Sequence, residues 1–256
     1  MSPGVSATPP APRNGVFVSR QRAYFREADE AKFRWQTRAP VFAATEQNLV
    51  SAAHGEGRLL EVGCGEGGNL FHLGPRPDLT VGLDYSHAKL GFAVGALPWA
   101  RFVGADALSL PFRSDAFDRV FCRDVLHHLP EGRRREAVAE LFRVCRPGGE
   151  IVVIEPNGRN PLIAALAVTT PAERGLFGST PERVAAWIRE SASALVLEMA
   201  QPLPVARAVL HYRYGAPALG YRAWAARLFR VMDQMAHRLL PRALWAYVVI
   251  RASRAG

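Results

Sequence analysis

Lysine is nearly missing from this chain. Of its 32 basic residues only Lys32 and Lys89 are lysine, and the rest are arginine. Set against 23 acidic residues, they leave a formal charge of +9. Such an excess invites an anionic partner, either a phosphate backbone or a lipid headgroup. Arginine spread this evenly, with no lysine-rich block, reads instead as a composition habit on a solvated surface. Cysteine is scarce too. Cys64, Cys122 and Cys145 are odd in number, far apart and never in Cys-x-x-Cys spacing. That argues against a disulfide framework or a cysteine-based zinc site and suits a reducing, cytoplasmic setting. No apolar run of about 18 residues occurs, so no membrane span is expected. Nor does a basic segment followed by an apolar one open the chain, so no secretory signal is expected.

Apolar residues, by contrast, make up 49% of the 256 residues, enough to bury a core and to set a disordered chain aside. The length suits one large domain or one domain with an elaborated end. Residues 1–15 carry Pro3, Pro9, Pro10 and Pro12 and read as a disordered arm. From 16 to 55 the pattern turns helical, and Tyr24, Phe25, Phe33, Trp35 and Phe42 read either as helix core or as a lid over a ligand. Short apolar runs then alternate with helical stretches. Strands are expected at Arg58–Val62, Thr80–Asp84, Arg101–Val103, Arg119–Cys122 and Glu150–Glu155, with helices over Asn69–Leu73, Ala88–Leu97 and Glu131–Val144. Such alternation predicts a doubly wound, mostly parallel α/β sheet whose strand-end loops gather at one carboxyl edge. Arg146-Pro147-Gly148-Gly149 marks a helix stop before the strand at Glu150. Beyond Pro156 lie an apolar patch at Asn160–Val168, a capping-box pattern at Ser179–Glu182 opening a helix through Ile188, a helical repeat over Tyr221–Leu240 and a last strand at Trp245–Ile250.

Chemistry concentrates at the predicted carboxyl edge. Leu59-Leu60-Glu61-Val62 reads as a buried strand, and Gly63-Cys64-Gly65-Glu66-Gly67-Gly68 lets the backbone turn sharply and approach a ligand. The loop alone is ambiguous. Gly63, Gly65 and Gly67 give the GxGxG spacing of S-adenosylmethionine sites, while Gly63, Gly65 and Gly68 satisfy the GxGxxG of dinucleotide sites. Asp84 ends the second strand, where a carboxylate can accept from both hydroxyls of a ribose or serve a helix start beside Ser86. Asp106 ends the third and can receive an adenine amino group. Glu61 is an acid inside a strand, where an unpaired charge is costly. It is expected to meet a ligand ammonium, directly or through water, or to bind the glycine-loop backbone. His127 and His128 follow the fourth strand and are candidate general bases, with a packing role the plainer reading for one of them. Asp124, His127 and His128 also have i, i+3, i+4 spacing, which can clasp a metal on a helix; with no further ligand in view, no metal is assigned.

The ordered motifs are specific. Leu60-Glu61-Val62-Gly63-Cys64-Gly65-Glu66-Gly67 resembles motif I of the class I S-adenosylmethionine-dependent methyltransferases, of the small-molecule "type 11" kind. Gly82-Leu83-Asp84-Tyr85-Ser86 resembles their ribose segment, and Asp106-Ala107 with Leu110-Pro111-Phe112 their adenine segment. Phe117-Asp118-Arg119-Val120 running to Leu126-His127-His128-Leu129, and Arg146-Pro147-Gly148-Gly149-Glu150, complete the set. The resemblance covers about residues 59–155. It implies a Rossmann-like seven-stranded sheet of order 3-2-1-4-5-7-6 with an antiparallel last strand, and S-adenosyl-L-methionine as cofactor. Cofactor contacts would come from Glu61, Gly63, Cys64, Gly65, Gly67, Asp84, Tyr85, Asp106 and Ala107. Cys122 and Arg123 would offer backbone carbonyls to the methionine amino group. Where the family often has a small neutral residue, this chain has Arg123. The implied organisation is a helical lid over 16–55, a cofactor core over 56–156 and a variable substrate region over 157–256 that completes the sheet.

Methyl transfer to a small-molecule or lipid-like acceptor is the function this implies. Arg222, Arg227, Arg230 and Arg238 on an amphipathic helix add a possible peripheral membrane contact. Three other readings stand beside it: a nucleic-acid methyltransferase, a nicotinamide-dependent oxidoreductase and a cofactor binder without activity. Adenine-directed members of the family carry an Asn/Asp-Pro-Pro-aromatic block where this chain reads Arg123-Asp124-Val125-Leu126.

Overall fold

The computed structural model describes residues 26–76, 78–213 and 215–255. The expected arm at 1–15 and the start of the lid, with Tyr24 and Phe25, lie outside the described residues. Two helices come first, α1 (Glu30–Arg38) and α2 (Pro40–Val50). Asp29 caps α1 by accepting from the Lys32 N–H, and Pro40 stops one helix and starts the next, since proline suits a first turn and breaks an interior.

Seven strands form one sheet: β1 (Leu59–Val62), β2 (Thr80–Asp84), β3 (Arg101–Gly104), β4 (Phe117–Arg123), β5 (Cys145–Pro156), β6 (Ala192–Ala200) and β7 (Tyr247–Arg254). Their order is 3-2-1-4-5-7-6, as the resemblance implied. All neighbouring pairs are parallel except those of β7, which runs against both β5 and β6. The helices α3 (Gly68–Leu73), α4 (His87–Ala96) and α5 (Arg134–Val144) link the parallel strands. Strand side chains alternate between faces, so each strand feeds two cores. Leu60, Val120, Ile151 and Ile250 pack with Val138 and Leu141 of α5 and Val184 and Ile188 of α7 (Pro181–Arg189). Leu59, Phe121, Val152 and Val249 pack with Leu49, Leu70, Leu97 and Ile163 on the other face. Burial on both faces explains why β1 and β2 read as continuous apolar runs.

Some boundaries moved. The pairing register jumps from Phe117–Cys145 to Arg119–Glu150, so Arg146–Gly149 bulges out of β5 rather than preceding it. Gly148, at φ +69, takes the left-handed turn there. The expected capping box at 179–182 is corrected: Thr180 starts α7 without a side-chain cap, and Ser179 donates instead to the Pro156 carbonyl at 2.6 Å. The region after β5 adds α6 (Pro161–Thr169), a 3-10 turn at Pro171–Gly178, α8 (Val205–Val209) and α9 (Ala223–Leu239). No helix among the described residues is long and apolar enough to cross a membrane.

Candidate functional site

The carboxyl ends of β1, β2, β3 and β4 open onto a cavity of about 740 Å³. Gly63, Cys64, Gly65, Asp84, Tyr85, Asp106, Ala107 and Arg123 all line it, as do His127 and His128. Parallel pairing of β1 with both β2 and β4, and of β2 with β3, brings these residues together because it aligns the carboxyl ends of the strands. The glycine bend is held by Asp84, whose Oδ2 accepts from the Gly65 N–H at 2.9 Å. Its Oδ1 accepts from the Ser86 N–H at 2.9 Å, while Ser86 itself caps α4. Asp106 likewise fixes its own turn, accepting from the Leu108 N–H at 3.0 Å.

Gly65 sits at φ +53, and a Cβ there would meet nothing closer than the Lys89 side chain at 4.0 Å. Its bare backbone therefore faces open cavity, as close approach of a nucleoside ligand requires. Gly67 has a different reason to be glycine. At φ +85 it starts α3, and a Cβ would lie 2.6 Å from Leu97 Cδ1. It does not line the cavity. Helix packing alone is enough to require glycine here.

Glu61 and Cys122 also stop short of the cavity. Glu61 is wholly buried, and its Oε1 accepts from Asn69 Nδ2 at 2.6 Å. Asn69, a side chain of α3, itself lines the cavity, while the other Glu61 oxygen is buried with no partner among the described residues. Burial raises the Glu61 carboxyl to about 7, against the lowering influence of Asn69 and Arg123. The Cys122 side chain belongs to the core.

Arg123 was expected to contribute only its backbone, and its side chain proves structural. Asn69 Oδ1 accepts from Arg123 Nη1 at 3.0 Å, and Arg123 Nη2 meets Glu46 Oε2 at 2.8 Å. Glu46 Oε1 also accepts from Arg207 at 2.9 Å. A buried charge network therefore joins α2, β4 and α8 behind the cavity. Sequence reasoning missed Glu46 and Arg207, because their only signal is long-range pairing.

The two histidines divide. His127 Nδ1 lies 2.7 Å from Glu155 Oε2, and Nε2 lies 3.4 Å from Glu173 Oε2. Burial disfavours its charge, yet the two glutamates raise it to about 10, so at neutral pH it already holds a proton. The expected role of His127 as a base does not fit that setting. Burial and the neighbouring His127 cation push His128 down to about 3, leaving it neutral and weakly basic. Asp124, at φ +55, pairs with Arg123 at 3.4 Å and does not cluster with the ligand atoms of His127 and His128.

The start of α1 joins the cavity wall through named contacts. Glu66, at the glycine bend, accepts from the Asp29 N–H at 3.2 Å and from Lys32 Nζ at 3.3 Å. Tyr212 donates to Asp29 Oδ2 at 2.6 Å from the opposite wall. Phe33 and Phe42 are helix core, Phe33 against Phe71 and Phe92; Trp35 stacks on Phe42 at 3.7 Å and also lines the cavity.

Comparison with known proteins agrees with this geometry. Residues 60–153 match the family described as "Methyltransferase domain". The chain is 37% identical over 116 residues to a phosphatidylethanolamine N-methyltransferase of Cereibacter sphaeroides, covering 42% of this chain and 56% of that protein. It is 40% identical over 121 residues to the phthiotriol/phenolphthiotriol dimycocerosates methyltransferase of Mycobacterium leprae, covering 46% of this chain and 42% of that protein. These matches span only about half of the relatives' own length. Among solved structures, a Haemonchus contortus phosphoethanolamine N-methyltransferase 2 in complex with S-adenosyl-L-methionine superposes with a TM-score of 0.64 at 14% identity, over 96% of this chain and 61% of that one. At that identity the likeness speaks for the fold. Sheet order, strand-end carboxylates, glycine bend and family match converge: the chain carries a class I S-adenosylmethionine-dependent methyltransferase domain.

Proposed function

We propose that the protein transfers the methyl group of S-adenosylmethionine to a small-molecule or lipid-like acceptor. One observation carries this reading: a single cavity is lined both by the glycine bend, Asp84 and Asp106 and by the apolar Leu162, Ile163, Leu166 and Leu176. Its volume of about 740 Å³ suits a nucleoside together with a modest apolar partner. When bound, the cofactor supplies a sulfonium methyl already activated toward a nucleophile. The work left to the chain is alignment and exclusion of water. Asp84 and Asp106 present acceptor oxygens to ribose and adenine, and Gly65 leaves room for the methionine portion. The lid, fastened through Glu66, Asp29 and Tyr212, keeps water out. The boundaries 16–55, 56–156 and 157–256 serve as lid, cofactor core and acceptor region in this reading.

A surface feature supports a lipid-like acceptor. On α9 only Ala225 is buried, while Trp224, Leu228, Val231, Met235 and Leu239 are exposed along one face. Arg222, Arg227, Arg230 and Arg238 flank it, a pattern suited to an anionic lipid surface. Peripheral contact of a cytoplasmic protein with such a membrane belongs to the proposal. The net charge of +9 favours nucleic acid as the second reading. Against it, the chain reads Arg123-Asp124-Val125-Leu126 where adenine-directed members of the family carry an Asn/Asp-Pro-Pro-aromatic block. A nicotinamide coenzyme would use Asp84 equally well, but the match to a methyltransferase domain favours methyl transfer.

The test is transfer of labelled methyl groups from S-adenosylmethionine into fractionated cell extract. A labelled low-molecular-weight or lipid product is expected. Tight cofactor binding with no transfer into any fraction would point to a binder without activity, and label in RNA or DNA to the second reading.

A further inference from the structure

The turn at Leu126–His128 and the turn at Pro171–Gly178 press together at the cavity wall. A Cβ at Gly175 would lie 1.8 Å from the His127 carbonyl oxygen, so only glycine allows this approach. Arg134 pins the same carbonyl at 3.3 Å. The packing carries Glu173 over the two imidazoles. One ligand atom from each of His127, His128 and Glu173 lies within 4.8 Å of the others. All three residues line the cavity.

Each imidazole has a bond of its own besides Glu173. Glu155, wholly buried, takes His127 Nδ1 at 2.7 Å while its other oxygen accepts from the Val125 and Leu126 N–H groups at 2.9 and 2.8 Å. The Ala172 backbone bonds the His128 ring. Metal-bound histidines are held in this way, with a carboxylate or carbonyl fixing the ring. The remaining contact also has metal spacing. His127 Nε2 and Glu173 Oε2 stand 3.4 Å apart, longer than an ordinary N–H···O bond. Ligand atoms at about 2.0–2.2 Å from a tetrahedral ion are separated by about 3.3 Å.

We propose that His127, His128 and Glu173 form a binding site for a first-row divalent cation of the zinc type, with its open face toward the cavity. Two imidazoles and one carboxylate suit zinc, cobalt(II) or iron(II) better than magnesium or calcium. The ion takes the place of the proton on His127 Nε2, and small side-chain rotations close the wider separations. An oxygen-bearing acceptor, such as a hydroxyl or carboxylate, is the ligand for the open face. That last assignment rests on the methyl-transfer reading; the metal site does not.

The experiment is titration of the full chain, freed of metal by chelator and dialysis, with cobalt(II) followed by its visible spectrum and with zinc(II) as competitor. One saturable equivalent with a tetrahedral-type cobalt band is expected, displaced by zinc. Glu173→Gln and His128→Ala should each weaken binding at least ~100-fold. Titration with S-adenosylhomocysteine on the same samples reports whether the cofactor end is intact. Should Glu173→Gln fail to fold, the half-buried His128→Ala carries the comparison. Absence of saturable uptake, or uptake indifferent to the substitution that folds, overturns the proposal. Metal uptake without nucleoside binding would instead sink the methyl-transfer reading and leave the metal site standing.

Discussion

Arg123 and Glu46 meet at 2.8 Å with both side chains only 2% exposed. The pair ties α2 to the carboxyl end of β4, directly behind the cavity. Breaking a buried ion pair from one side strands the other charge, at a cost of about 3–5 kcal/mol. Arg123→Met leaves Glu46 with Arg207 as its remaining cation, so it should lower stability in urea denaturation by less than that, by about 1–3 kcal/mol. The double variant with Glu46→Gln should lose much less than the sum of the two single changes, because neighbours in one network couple. Additive losses would mean that the pair contributes no shared term.

Glu61 gives stability a pH dependence of known sign. Its folded carboxyl titrates at about 7 against an ordinary 4.5, so between those values the folded chain holds a proton that the unfolded chain has released. The Glu61 contribution is therefore fully present below pH 4.5 and is lost as the pH rises toward 7, by about 3 kcal/mol. Glu61→Gln, which keeps an oxygen for Asn69, should show a flatter pH profile than the natural chain across this window. Parallel profiles from thermal denaturation would contradict the assignment.

Gly65 and Gly67 should fail differently although they are two residues apart. Gly65→Val fills open cavity, so nucleoside binding should fall at least ~100-fold. Its φ of +53 adds a backbone penalty of about 1–2 kcal/mol. Gly67→Val collides with Leu97 at 2.6 Å and should chiefly lower the melting temperature. Equal effects of the two on binding and stability would contradict this division.

Much of this was legible in the sequence because parallel strands buried on both faces declare themselves as apolar runs. β1, β2 and β4 did so, and the glycine bend and Asp84 followed at fixed offsets. β6 did not, since Ala192–Ala200 is an edge strand with Val196 and Leu197 exposed, and its side chains carry no clear alternation. The site's long-range partners were equally silent. Nothing near Glu173 announces that Gly175 will let its turn settle on His127, and nothing near Glu46 names Arg123. Glu61 is legible as a costly buried acid, but nothing in the sequence names Asn69 as the partner of its Oε1. Asn69 is the second residue of α3 and resembles any helix-start asparagine.

Contact of α9 with lipid is open to direct measurement. The chain should float with vesicles rich in phosphatidylglycerol at low salt and release as salt screens the arginines. Replacing Arg227 and Arg230 by glutamate should abolish flotation without changing nucleoside affinity. No flotation at low salt would remove the membrane contact from the proposal.

Calorimetric titration with S-adenosylhomocysteine probes the cofactor assignment at its root. The natural chain should bind one equivalent, and Asp84→Ala should weaken that binding by ~1.5–3 kcal/mol. Asp84→Asn would keep one oxygen for the Gly65 amide and fall between the two. Affinity unchanged by Asp84→Ala, or heat on adding a reduced nicotinamide coenzyme and none on adding the nucleoside, would contradict the account.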